Sequence, residues 1–149
     1  MTDWRIELAQ RSDACIAEFI SANPGYAVDP VQPQYRGGTN LVTFGSFHGQ
    51  PVVFKHYVDS GRWANERFCL NHFARTGLVP RVLHAIEDTL IVMTRLPGED
   101  IGVALADGKL GPERIGELSA GIGGAIGRLV QVPLPPIGPG YSPIRDFRV

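Results

Sequence analysis

The sequence is poor in cysteine and in charge of either sign. Its 149 residues include two cysteines, Cys15 and Cys69, so a disulfide scaffold is excluded and reduced thiols are expected. The 14 basic and 15 acidic side chains give a net charge of −1, which provides no electrostatic reason to bind nucleic acid or an anionic membrane. The cysteines and histidines show no zinc-type spacing, so no metal site is expected from them.

Long apolar runs suited to a membrane are also absent. The longest uncharged run, residues 129–144, contains five prolines and cannot form a membrane helix. The first residues, Met-Thr-Asp-Trp-Arg, do not resemble a signal peptide. Since 44% of the residues are apolar, the chain can build a core. We therefore expect a globular cytoplasmic protein whose partners are neither nucleic acid nor membrane.

Helical and strand patterns alternate along the chain, which indicates an α+β fold with an antiparallel sheet flanked by helices. Residues 26–36 contain two prolines and are expected to be extended with little strand pairing. Asp59 or Ser60 can cap the second helix, and Gly77 can end it in a left-handed conformation. The patterns predict helices over 3–22, 60–75 and 113–130, strands over 41–47, 51–58, 79–85 and 89–96, and connections at 48–50 and 87–88.

The same patterns divide the chain into three parts. Residues 1–25 form an N-terminal helix, and residues 26–97 hold the sheet and its helix. Residues 98–149 leave the sheet, pass through a glycine-rich helix and end in a proline-rich tail. The sequence shows no internal repeat.

Two features near the first hairpin could carry chemistry. Gly37 and Gly38 let the backbone approach a ligand closely and direct N–H groups at an anion such as a phosphate, although a tight turn also explains them. Lys55 lies within the second hairpin strand, on the same face as Val53 and Tyr57. An exposed strand lysine is the alternative interpretation of that position.

Glu66 is unusual because it falls inside the apolar arc of its predicted helix. The apolar positions of that helix are Trp63, Leu70, Phe73 and Ala74. A buried carboxylate needs a partner, and Lys55, eleven residues earlier on the preceding strand, could supply it across a strand–helix contact. Alternatively, Glu66 lies at the edge of the arc and reaches water.

In their order and spacing, these features resemble the N-terminal lobe of the protein-kinase-like superfamily, in its aminoglycoside phosphotransferase and small-molecule kinase branch. The run Gly37-Gly38-Thr39-Asn40 resembles the glycine loop of that branch. Val53-Phe54-Lys55 is similar to the strand with the nucleotide-binding lysine. Residues 90–99 resemble the fifth strand and the hinge with its Pro-Gly. The resemblance covers about residues 35–133 and so includes the first helix of the C-terminal lobe.

The resemblance implies an ATP site. Backbone N–H groups of Gly37, Gly38, Thr39 and Asn40 would cover the phosphates. Lys55 would bind the α- and β-phosphates, and Glu66 would orient it.

On the adenine side, the resemblance implies three further positions in the strand and hinge. Met93 would stand at the back of the pocket as the gatekeeper. The carbonyl of Thr94 and the N–H of Leu96 would pair with the adenine edge.

The chain departs from the family in its catalytic residues. Phosphoryl transfer needs a carboxylate near the acceptor and oxygen ligands for Mg²⁺, which the family supplies from an H-x-D-x-x-x-x-N loop and a following Asp. No histidine here is followed two residues later by Asp. Arg145-Asp146-Phe147 has a superficial likeness, but the matching Asn would fall beyond Val149. We expect a truncated fold that is inactive alone and binds Mg²⁺ only with ligands from a C-terminal lobe, on a longer chain or in trans.

Two alternatives remain open at this point. The first is a kinase-like module without catalysis that self-associates or binds a partner. Its motivation is the glycine-faced helix at 113–130, which would normally pack on a C-terminal lobe. The second is a plain α+β domain with an unrelated small-molecule pocket.

Overall fold

A computed structural model describes residues 4–30, 40–98 and 101–134 of the chain. Contacts divide the chain into two compact units, residues 1–111 and residues 112–149. The described part of the first unit is a five-stranded antiparallel sheet with helices, which confirms the predicted α+β class. The described part of the second unit contains one long helix.

The elements follow one another in the predicted order, with two additions. The sheet has the strand order β1-β2-β3-β5-β4, and every neighbouring pair is antiparallel. No helix in the described ranges is long and apolar enough to cross a bilayer. The helices are α1 (Trp4–Ala22), α2 (Ser60–Phe73), α3 (Ile101–Ala106) and α4 (Pro112–Leu129), and the strands are β1 (Tyr26–Val28), β2 (Asn40–Phe47), β3 (Gln50–Tyr57), β4 (Val82–Ile86) and β5 (Leu90–Thr94).

Helices α1 and α2 cover opposite faces of the sheet. On one face, Ile16 and Phe19 of α1 pack against a group of apolar side chains from β3 and β5. On the other face, Trp63 and Leu70 of α2 pack against a second group. Alternate residues of each strand therefore belong to different cores, as the pleat of a strand requires. The first group is Val52, Phe54, Leu90 and Val92, and the second is Tyr57, Ile91 and Met93.

The prediction for residues 26–36 was partly wrong, because Tyr26–Val28 pair with β2 as an edge strand. Pro30 comes after the paired residues and therefore removes no donor from the ladder. The pairing brings β1 very close to Gly45. A Cβ at that position would lie 2.2 Å from the carbonyl oxygen of Ala27 and 2.6 Å from the ring of Phe54. Only glycine fits beneath the edge strand here.

The hairpin turn is one residue shorter than predicted. Phe47 and Gln50 face each other in the ladder, so His48 and Gly49 alone form the turn. Both have positive φ, 47° and 80°, as a two-residue type I′ turn requires.

Other element ends moved by a few residues. Helix α2 ends at Phe73 instead of Arg75 and continues as a 3₁₀ turn, after which Gly77 has the predicted left-handed conformation with φ of 69°. Strand β4 begins at Val82 instead of 79, and β5 ends at Thr94 instead of 96. The six-residue helix α3 was not predicted.

Candidate functional site

Lys55 and Glu66 form an ion pair between β3 and α2. Lys55 Nζ lies 2.7 Å from Glu66 Oε1 and 2.6 Å from Oε2, so both carboxylate oxygens accept from the ammonium group. The side chains are 21% and 30% exposed, respectively. The predicted ion pair between strand and helix is confirmed. Glu66 is also partly exposed to water, as the alternative interpretation of its position predicted. Solvent can therefore bring a ligand to Lys55.

Two features of helix α2 position Glu66: the cap at its N-terminus and the buried Trp63 on its inner side. Asp59 caps the helix, and its Oδ1 accepts from the N–H groups of Gly61 at 2.8 Å and Arg62 at 3.2 Å. Trp63 is buried against the sheet and donates from Nε1 to the carbonyl oxygen of Leu90. One turn later, Glu66 lies beside this anchored side, so its carboxylate faces the sheet at β3.

Tyr57 completes a group of three around the ion pair. It lies two residues after Lys55 on the same face of β3, and Lys55 Nζ is 5.4 Å from the centre of its ring. Burial raises the pKa of the Tyr57 hydroxyl, and the negative charge of Glu66 raises it further. The hydroxyl is close enough to feel that charge, but no described group forms a hydrogen bond of good geometry with it. Tyr57 is therefore an uncharged side chain that packs beside the ion pair.

The neighbouring strand β2 supplies the rest of this face. Asn40 stands opposite Tyr57, Val42 opposite Lys55, and Phe44 opposite Val53. The side-chain oxygen of Asn40 is buried without a hydrogen-bond partner among the described groups. The face therefore changes along the strands from polar, at Asn40 and Lys55, to apolar, at Phe44.

A second cation lies over the apolar end of this face. The guanidinium carbon of Arg95, in the segment after β5, is 3.9 Å from the centre of the Phe44 ring. The Arg95 N–H also donates to the carbonyl oxygen of Pro51 at 3.1 Å. Sequence reasoning missed this contact because Arg95 and Phe44 are 51 positions apart and nothing local connects them. It placed Tyr57 on the face of Lys55 but assigned it no part in the site.

The adenine-side positions are divided between the sheet and the segment after it. Met93 is buried opposite Val53, on the face that carries Lys55. Thr94 lies opposite Val52, so its side chain belongs to the other face, and its Oγ1 accepts from the Arg81 N–H at 2.9 Å. Leu96 follows β5 and is about half exposed. Gly37, Gly38 and Thr39 lie outside the described residues. Asn40, Lys55, Glu66 and Met93 are thus brought to one face.

This arrangement can bind an anion next to an apolar surface. An ammonium group has three N–H donors, and contacts with two carboxylate oxygens leave donor capacity for a third oxygen. Glu66 holds Lys55 in one position, so little side-chain entropy remains to be lost when an anion binds. In the part of the chain that the structure describes, no group of three or more His, Cys, Asp or Glu side chains could hold a metal ion.

Comparison of the chain with protein-family models, with curated proteins and with solved structures gave no match.

Proposed function

We propose that this chain is an ATP-binding lobe of a small-molecule kinase similar to the aminoglycoside phosphotransferases. The observation that carries the proposal is the ion pair between Lys55 and Glu66. A strand lysine held by a helix carboxylate, partly open to solvent, suits an anion that must be oriented. Lys55 then binds the α- and β-phosphates, and Glu66 keeps its ammonium group in place.

The surrounding residues support a nucleotide better than a lone phosphate. The run Gly37-Gly38-Thr39 connects in sequence to Asn40, whose partner in the ladder, Tyr57, contacts Lys55. At the other end of the face, Phe44, with Arg95 over its ring, and the buried Met93 make the surroundings apolar, as a base requires. The proposal therefore places the phosphates at Lys55 and the adenine toward Phe44, Met93 and the hinge residues Thr94 and Leu96.

The proposal covers binding and leaves phosphoryl transfer to a second lobe. The carboxylate near the acceptor and the Mg²⁺ ligands would come from an H-x-D-type loop, and this sequence has no His followed two residues later by Asp. Such a lobe would be supplied on a longer chain or in trans.

Calorimetric titration with ATP, with and without Mg²⁺, tests the proposal. The chain has two lysines, Lys55 and Lys109, and the second is exposed in the loop after α3, where it pairs with Asp107. Lys55→Met should weaken ATP binding by about tenfold or more, because a charge-assisted contact to phosphate is lost. Lys109→Met removes the same charge elsewhere and should leave the affinity unchanged.

Two results would contradict the proposal. One is a folded wild-type chain that shows no heat with millimolar ATP. The other is equal affinity for the wild type and Lys55→Met. Circular dichroism of each variant establishes that the loss of binding is not a loss of fold.

A specific observation favours the second candidate, a non-catalytic module that self-associates. Within the first unit, Leu96, Ile101 and Leu105 are each more than two-fifths exposed, which leaves apolar surface around α3 uncovered. Light scattering should then show a dimer at micromolar concentration, and Leu105→Lys should shift it toward the monomer. A stable monomer with ATP affinity would reject this candidate and retain the first.

A further inference from the structure

A cavity lies on the opposite side of β3 from Lys55. It has a volume of about 530 Å³ and is bounded by α1, the end of β3 and the residue before β5. Leu8, Ala14 and Val58 contribute apolar walls, and Arg11, Glu18 and His56 contribute the groups with charge or polar nitrogen. These six residues do not belong to the proposed nucleotide site, but Tyr57, which lies beside Lys55, also lines the cavity.

His56 gives this cavity a largely buried polar side chain. It is 8% exposed, and its Nδ1 has no hydrogen-bond partner among the described groups. A buried polar atom without a partner costs free energy, and the ring that carries it forms part of the cavity wall. Its neighbour Lys55 faces the other side of the sheet because strand residues alternate, whereas Tyr57 also lines part of the cavity.

Arg11 supplies the charge at the same place. Its side chain is exposed on α1, and it lies close enough to His56 for an electrostatic interaction between the guanidinium group and the imidazole. Burial lowers the pKa of His56, and the charge of Arg11 lowers it further. An arginine beside a neutral, buried imidazole can bind a carboxylate through two N–H donors. A ligand anion would also offset the effect of Arg11 on the imidazole.

The remaining groups of the cavity restrict the ligand. Glu18 is two turns along α1 from Arg11, so it repels a second carboxylate at that end. Burial, with the negative charge of Glu18, raises the pKa of Cys15, and burial raises that of Tyr57, so both stay neutral near pH 7. Thr89, which also lines the cavity, carries no charge. Arg11 is the one cationic side chain among the described lining residues.

We propose that this cavity binds a small organic monocarboxylate, with the carboxylate on Arg11 beside His56 and a short apolar chain against Leu8, Ala14 and Val58. The proposal rests on different residues from the nucleotide site and does not depend on ATP binding.

Nuclear magnetic resonance of the full chain, followed at the four histidine rings, tests this proposal with sodium butyrate as the probe. We expect butyrate to move the His56 resonances at millimolar concentration and to raise the pKa of His56, because an anion stabilises the imidazolium form. Succinate should bind more weakly because of Glu18. Butylamine at the same concentration should leave His56 unmoved.

Arg11→Ala should weaken butyrate by about tenfold or more, since the charged partner is lost. Its matched control is Arg75→Ala, which removes an exposed arginine outside the cavity. Three results would overturn the proposal: His56 resonances that do not respond to 50 mM butyrate (about the weakest affinity such a ligand would show), an equal response to butylamine, or unchanged affinity in Arg11→Ala. Arg11 is exposed, so its variant tests the site without risk to the core.

Discussion

The indole of Trp63 donates a hydrogen bond to the main-chain carbonyl of Leu90, with 3.2 Å between Nε1 and the oxygen. This bond connects α2 to β5 across 27 positions of sequence. Trp63 and Glu66 are three residues apart on one helix, so the same contact fixes the height of Glu66 above the sheet. The ion pair with Lys55 is therefore a consequence of how α2 is anchored.

Replacing Trp63 by Phe tests this anchor. The substitution keeps an aromatic ring but removes the buried hydrogen bond from the indole to the carbonyl oxygen of Leu90, so the free energy of unfolding should fall by about 1–3 kcal/mol. Urea unfolding followed by circular dichroism measures it. Arg67→Ala is the control, because it removes the guanidinium that lies 4.9 Å from the same ring and should cost about 1 kcal/mol or less. Equal urea midpoints for Trp63→Phe and the wild type would contradict the prediction.

Glu66→Gln should separate the position of Lys55 from overall stability. The pair is partly exposed, so its loss should change the free energy of unfolding by about 1 kcal/mol or less. The environment of Lys55 should nevertheless change, because the carboxylate that holds its ammonium group is gone. With ¹³C-labelled lysine, the Lys55 side-chain resonance should move while that of Lys109 stays. An unmoved Lys55 resonance would mean that the pair does not persist in solution.

Two glycine-to-alanine substitutions should act in opposite directions. Gly45→Ala places a methyl group against Ala27 and the Phe54 ring, so it should destabilise the first unit by about 1–3 kcal/mol. At Gly124, within α4, an added Cβ meets no atom within 4 Å, and alanine should stabilise the helix by about 0.5–1 kcal/mol. Thermal unfolding at 222 nm compares the two. Stabilisation by Gly45→Ala would show that β1 does not press on β2 as described.

The free energy of unfolding should fall as the solution becomes more acidic, because the buried His56 resists protonation in the folded chain. Burial first and Arg11 second lower the pKa of His56 below its ordinary value of 6.5. Between that value and the folded pKa, the unfolded chain binds a proton that the folded chain does not, so the free energy of unfolding decreases as pH falls below 6.5. Above pH 6.5 this contribution is fully present.

His56→Gln should reduce this pH dependence, and Arg11→Gln should reduce it in part. The control, His48→Asn, alters an exposed turn histidine and uses a residue that tolerates positive φ. Urea midpoints measured from pH 7.5 to 5, about the range over which a histidine titrates, give the comparison. A slope that survives in His56→Gln would assign the effect to another group.

Much of the local structure could be predicted because its causes are local. The alternation of apolar residues gave the central strands, and Asp59 and Gly77 gave the ends of α2 with its terminal turn. Strand β1 was missed because three residues carry too little pattern, and their pairing depends on Gly45, nearly twenty residues away. Helix α3, six residues long, gives a similarly weak periodic signal.

The candidate site shows the same division. The inward position of Glu66 on its helix and the face of the strand that carries Lys55 could be predicted, because the helix and strand periods are regular. The Arg95–Phe44 contact and the cavity of Arg11 and His56 could not. Each brings together residues from elements whose relative placement follows from packing across the whole sheet.

The sequence by itself determined the class of fold and the ends of several elements, and it indicated Lys55 and Glu66 as candidate partners, because backbone geometry and the cost of an unpaired buried charge act over short distances. The tertiary structure decided the order of the strands and the placement of α1 and α2 on opposite faces. It also decided which polar atoms, such as His56 Nδ1, are buried without a partner. Those outcomes depend on how all apolar surfaces are buried together, which no single segment specifies.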